Sequence, residues 1–62
     1  MKITLKAART NAKMTLETAA NSLDVSVQTL INWEKGITEP SISQAYKIAS
    51  LYKMDIDNIN FF

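Results

Sequence analysis

Apolar residues recur at helical spacing in successive short stretches of this chain, separated by polar clusters that hold hydroxyl and turn residues. Leu5, Ala8, Arg9 and Ala12 share one face by i, i+3, i+4, i+7 spacing, and Thr4 stands where an N-cap belongs, so a first helix is predicted from about Leu5 to Ala12. Thr15 caps a second helix, Leu16 to Leu23, whose apolar stripe is Leu16, Ala19, Ala20 and Leu23. The small alanines of that stripe allow a neighbouring helix to come close. Asp24 and Val25 form a turn, Ser26 caps a third helix from about Val27 to Lys35, and Gly36 takes the left-handed C-terminal position. At about 100° per residue, Leu30 and Trp33 point to one side of that helix, while Val27, Gln28, Ile31, Asn32 and Lys35 cluster on the other. Ser41 caps a fourth helix through about Tyr52, with Ile42, Ala45, Tyr46, Ile48, Ala49 and Tyr52 mostly inward and Leu51 outside the arc. Asp57 is placed to cap a last short helical turn carrying Ile59, Phe61 and Phe62. The pattern is a compact, all-α, five-helix domain.

At 62 residues the chain holds one domain, and folding at this size buries about 60% of the surface of the unfolded chain. With no cysteine and no histidine, a disulfide framework, a zinc finger and the commonest general base are all excluded. Neither a nucleophile with a base and an orienting group nor a metal-like carboxylate cluster stands out; Asp55 and Asp57 read more simply as a loop and a cap. The chain is therefore expected to be no enzyme and to need no cofactor or metal. No signal-peptide-like run and no stretch of about 18 apolar residues occurs, which makes a cytoplasmic location the default.

The second and third helices, joined by a short turn, form a helix-turn-helix, the arrangement that lays its second helix in the major groove of DNA. Gln28 and Asn32 on the outward face suit base edges, because an amide donates to and accepts from adenine in a bidentate pair. They also suit plain solvent. Val27 and Ile31 would leave apolar surface uncovered unless thymine methyl groups cover it, or unless Ile31 packs against the following loop. Candidate phosphate contacts are Lys13, Thr15 with the amides that follow it, Lys35, Thr38 and Gln44, each of which reads equally as a solvated residue. The net charge of +1 is low for a nucleic-acid binder, but Lys2, Lys6, Arg9, Lys13 and Lys35 all lie in the N-terminal part.

Leu5 with Arg9, Thr15, the run Trp33-Glu34-Lys35-Gly36 and Pro40-Ser41 together resemble the Cro/CI-type (Xre-type) repressor family over roughly residues 3 to 60. That resemblance implies a lambda-repressor-like fold and a sequence-specific, double-stranded DNA-binding transcriptional regulator of phage or prophage kind. It places base contacts at Val27, Gln28 and Asn32 and phosphate contacts at Ser26 and Lys35. It also pairs Arg9 with Glu34 as a structural ion pair, Arg9 reading otherwise as an exposed phosphate contact. Two positions depart from the family pattern: Leu16 stands where a phosphate-binding Gln is frequent, and Asp24 where Gly is common. The other reading of the scaffold is a protein-interaction module, antitoxin- or antirepressor-like, to which the apolar Phe61-Phe62 end lends weight. On the DNA reading a homodimer on a pseudo-palindromic operator is expected, with Leu51, Phe61 and Phe62 as the apolar surface that joins the two copies.

Overall fold

A hydroxyl side chain opens each of four helices. Oγ1 of Thr4 accepts from the Ala7 N–H at 3.1 Å, that of Thr15 from Thr18 at 3.1 Å, Oγ of Ser26 from Thr29 at 3.1 Å, and that of Ser41 from Gln44 at 3.2 Å. Each bond satisfies a helix-start donor that has no partner inside the helix. The computed structural model describes residues 2–61, in the order β1 (Ile3–Thr4), α1 (Leu5–Asn11), α2 (Leu16–Leu23), α3 (Val27–Lys35), α4 (Ile42–Leu51), a single 3-10 turn (Ile56–Asn58) and β2 (Ile59–Asn60).

All four helices also close alike, on a left-handed residue followed by a backbone N–H that reaches back five positions. The left-handed residues are Lys13 (φ 59°), Asp24 (φ 60°), Gly36 (φ 76°) and Lys53 (φ 55°). The reaching bonds run from Met14 to Arg9 at 3.2 Å, Val25 to Ala20 at 3.0 Å, Ile37 to Asn32 at 3.0 Å and Met54 to Ala49 at 3.0 Å. This is the Schellman closure, and of the four residues only glycine adopts its conformation without a Cβ penalty.

The core lies where α2 meets α3 and α4. Ala19 and Ala20 are fully buried and bring those helices close, while Leu30 and Ile48 are the largest fully buried side chains. Leu5 and Ala8 of α1, Trp33 of α3 and Tyr52 just beyond α4 complete it. On α4 the inward arc is narrower than its periodicity suggests: Ala45, Ile48, Ala49 and Tyr52 are buried, but Ile42 is 78% exposed and Tyr46 60% exposed. Ile42 sits in the first turn, before neighbouring elements cover the helix, and Tyr46 lies about 100° from Ala45.

The expected fifth helix does not form, so four α-helices make up the described fold. The 3-10 turn spans three residues, and its flanking Asp55 makes no side-chain cap bond. Beyond it the chain is extended: Ile59 pairs with Ile3 and Asn60 with Thr4 in a two-stranded parallel sheet. Ile59 buried, Asn60 exposed and Phe61 buried is the period-two alternation of extended chain rather than a helical face. Phe61, 7% exposed, is therefore part of the single-chain core instead of surface left over for a second copy. Leu51 is half-buried and packs against that core; Phe62 lies outside the described residues. The sheet fastens the C-terminal segment to the residues that lead into α1.

Candidate nucleic-acid interface

Three residues separate α2 from α3, and each has one conformational job. Asp24 (φ 60°, ψ 41°) reverses the chain, Val25 donates to Ala20, and Ser26 (φ −74°, ψ 157°) turns its hydroxyl onto the first turn of α3. Asp tolerates the left-handed region better than most residues with a side chain. The result fixes α3 across α2 and leaves one face of α3 outside the bundle.

On α3 the inward anchors are Leu30 and Trp33, both buried. The outward side chains differ in how they are held. Gln28 is exposed, and its Nε2 donates to Oδ1 of half-buried Asn32 at 3.0 Å. Val27 is half-buried and packs against the core from its edge. Ile31, also half-buried, lines a shallow depression with Lys6, Arg9, Leu16, Glu34 and Lys35. The four residues expected to meet bases thus share one side of α3: an amide pair, one methyl-bearing residue that doubles as core, and one that borders a basic dent.

Beneath that dent Arg9 joins α1 to the end of α3. Its Nε donates to Oε2 of Glu34 at 2.8 Å, its Nη2 to Oε1 at 3.4 Å, and its Nη1 to the Met14 carbonyl at 3.0 Å. The two side chains are only 12% and 8% exposed, and the hydrogen bond to Glu34 raises the guanidinium above its ordinary value against the cost of burial. Arg9 is therefore committed within the protein. Close by, burial and the Glu34 charge push the Tyr52 hydroxyl up to about 12, Arg9 opposing; that hydroxyl makes no hydrogen bond among the described residues.

The residues expected at phosphates fall into two groups. Lys13, Lys35 and Thr38 are exposed, Lys13 at the left-handed end of α1 and Thr38 in the loop after α3. Thr15, Ser26 and Gln44 already serve as caps. The Thr15 hydroxyl accepts from the Thr18 N–H and donates to Thr18 Oγ1 at 3.0 Å; Ser26 Oγ shares a 2.9 Å bond with Thr29 Oγ1; Gln44 Oε1 accepts from the Ser41 N–H at 2.9 Å. That last bond closes a capping box and occupies the carbonyl end of Gln44, not its amide donors. Lys6 is an addition to the expected set. It borders the same depression as Lys35, and its place three residues before Arg9 on α1 was a signal for it.

The helix-turn-helix family profile matches residues 5–59. The chain is 42% identical over 59 residues to an uncharacterized HTH-type transcriptional regulator of Methanocaldococcus jannaschii, a match covering 95% of this chain and 89% of that protein. It is 36% identical over 62 residues to an uncharacterized HTH-type transcriptional regulator of Archaeoglobus fulgidus, covering 100% of this chain and 87% of that protein. Two helices crossing at a three-residue turn, with these matches along nearly the full length, establish that the chain belongs to the Cro/CI-type (Xre-type) helix-turn-helix family.

Proposed function

We propose that this protein is a sequence-specific, double-stranded DNA-binding transcriptional regulator of the Cro/CI repressor kind. It places α3 in the major groove with Val27, Gln28, Ile31 and Asn32 toward base edges. The observation that carries this reading is the outward face of α3, where polar amides and methyl groups lie side by side on a helix anchored from behind by Leu30 and Trp33. Amides match the donor and acceptor pattern of adenine, and methyl groups match thymine. Lys13, Lys35, Thr38, the N-caps Thr15 and Ser26 of α2 and α3, and Gln44 in the first turn of α4 set the register on the phosphates, with Lys6 beside Lys35. Arg9 and Glu34 hold α1 to α3 and take no part in contact.

Two copies act together on a pseudo-palindrome, their recognition helices about 34 Å apart and the half-sites about 10 base pairs apart. With Phe61 in the core, Ile42 and Tyr46 on α4, beside a groove that Ile56 and Lys2 also line, offer apolar surface to a second copy; exposed Ile37 lies in the loop after α3. Side chains this few give a small interface and a dimer that is weak without DNA.

Selection from random duplexes, followed by a salt titration, tests the reading. A defined motif with two-fold symmetry is expected, together with an affinity that falls as salt rises by about 0.9 log units per log unit for each phosphate neutralised. Recovery of no motif would count against sequence-specific readout. A single asymmetric half-site would count against the dimer alone.

A further inference from the structure

The bond between Gln28 and Asn32 has a consequence for how α3 reads a base sequence. Both side chains lie on the outward face of α3, four residues apart, and a 3.0 Å hydrogen bond joins one amide to the other. Whichever of the two donates, the bond consumes one donor and one acceptor and fixes the planes of both amides relative to each other. Each amide keeps donors and acceptors for an outside partner. A free Gln or Asn must give up rotamer freedom to make a bidentate contact, whereas side chains already tied together have given up part of it.

We infer that Gln28 and Asn32 act as one coupled reading unit, not as two independent base contacts, each amide holding the other in the orientation that meets the base edge. Removing either one releases its neighbour. Their backbone positions are separated by about 6 Å along the helix axis, and the joined amide ends lie closer still, against about 3.4 Å between successive bases of a strand. The unit therefore addresses one base pair or two adjacent ones, and a purine edge, with adenine N6 and N7 the best match, is its target. This inference rests on the proposed placement of α3 in the major groove and adds to it the coupling.

A double-mutant cycle tests the coupling. The probe is a duplex carrying the site that the unaltered chain selects from random sequence, bound by the unaltered chain, Gln28→Ala, Asn32→Ala and the double variant. Each single substitution is expected to weaken binding about 5- to 150-fold. The double variant is expected to bind more tightly than the product of the two single losses predicts, by more than the roughly twofold scatter of independent sites. Fresh selections with each single variant should lose preference at the same base pair or at two adjacent ones. In the free protein, Asn32→Ala should shift the side-chain amide proton signals of Gln28. Losses that multiply, with preference lost at separated positions, overturn the coupling while leaving α3 as the reading helix. Single substitutions that change neither affinity nor the selected motif overturn the coupling and the groove placement together.

Discussion

The two faces of α3 are made from neighbouring residues and do opposite things. The inner face ends in Leu30, fully buried, and Trp33, nearly so, both members of the core cluster on a helix that packs against α2 and α1. The outer face ends in Gln28 and Asn32, joined by one mutual hydrogen bond, and in exposed Lys35. A helix of nine residues is too short to be stable alone, so the outer face can present fixed chemistry only because the inner face fixes the helix. On the proposed reading, stability and recognition are thereby separated by rotation about one axis. Substitutions on the inner side should change how much protein is folded, and those on the outer side should change what the folded protein binds.

Leu30 gives the largest effect. Leu30→Ala leaves a cavity at the centre of the core and is expected to cost about 2 to 5 kcal/mol. A domain of this length has only about 3 to 9 kcal/mol in total, so the variant should be partly or wholly unfolded at room temperature. Urea titration followed by circular dichroism measures the loss. The DNA motif selected by whatever fraction folds should be unchanged, and a new motif would show that the two faces are not separable.

Next comes the tie between α1 and the end of α3. Glu34→Ala leaves Arg9 almost buried with, among the described residues, only the Met14 carbonyl as partner, and should cost about 3 kcal/mol. Replacing both partners by apolar residues, Arg9→Met with Glu34→Leu, should recover most of that loss, since well-packed apolar pairs match or exceed buried ion pairs. A double variant as unstable as Glu34→Ala would mean that the pair supplies geometry that packing cannot.

Tyr52 offers a smaller handle on the inner side. Its hydroxyl is pushed from 10.0 to about 12, first by burial and then by the Glu34 charge, so the folded state favours the protonated form more than the unfolded state does. A raised folded value means that the associated stability is fully present below about pH 10 and is lost as pH rises toward 12. Tyr52→Phe should remove this alkaline sensitivity. Because the hydroxyl is buried without a partner among the described residues, the substitution should also be neutral or stabilising by about 1 kcal/mol at neutral pH. Unfolding midpoints at pH 7, 9 and 11 check both statements, and a clear destabilisation at pH 7 would reveal a hydrogen bond that Tyr52 needs.

How far the primary structure discloses this arrangement depends on whether a feature is local. The bounds of α2 and α3 are readable to the residue, since Thr15 and Ser26 start those helices and Asp24 and Gly36 end them, each a residue type suited to its backbone. Lys13 and Lys53 take the same left-handed ending with no such cue, because lysine has no special tolerance for it. The C-terminal strand is hidden for a different reason: Ile59 to Phe61 is too short for periodicity to decide, and its partner is Ile3–Thr4 at the other end of the chain. Arg9 and Glu34 stand 25 positions apart, and family resemblance rather than spacing brings them together. On the outer face of α3 the positions were legible, but their distinct supports were not: Val27 borders the core, and Ile31 borders the Lys6–Lys35 dent.

That last distinction gives the smallest expected effect and the finest test of the two-face division. Val27 and Ile31 sit four residues apart, both half-buried and both proposed to meet bases, so a sequence-level view treats them alike. Val27 also packs against the core, so Val27→Ala removes methyl groups from both sides of the boundary. At about 0.8 kcal/mol for each fully buried carbon, and with Val27 only half-buried, the stability loss should be near 1 kcal/mol. For a domain of this size that shifts the melting temperature by roughly 4 to 8 °C. Ile31→Ala should lower stability by less than about 0.5 kcal/mol, as expected for a substitution away from the core. Its binding loss should nevertheless be comparable to that of Val27→Ala and concentrated at thymine-bearing positions of the selected site. Parallel melting and binding curves for the two variants decide the matter. If Ile31→Ala proves as destabilising as Val27→Ala, the inner face extends around α3 to Ile31, and only the polar side chains remain for recognition.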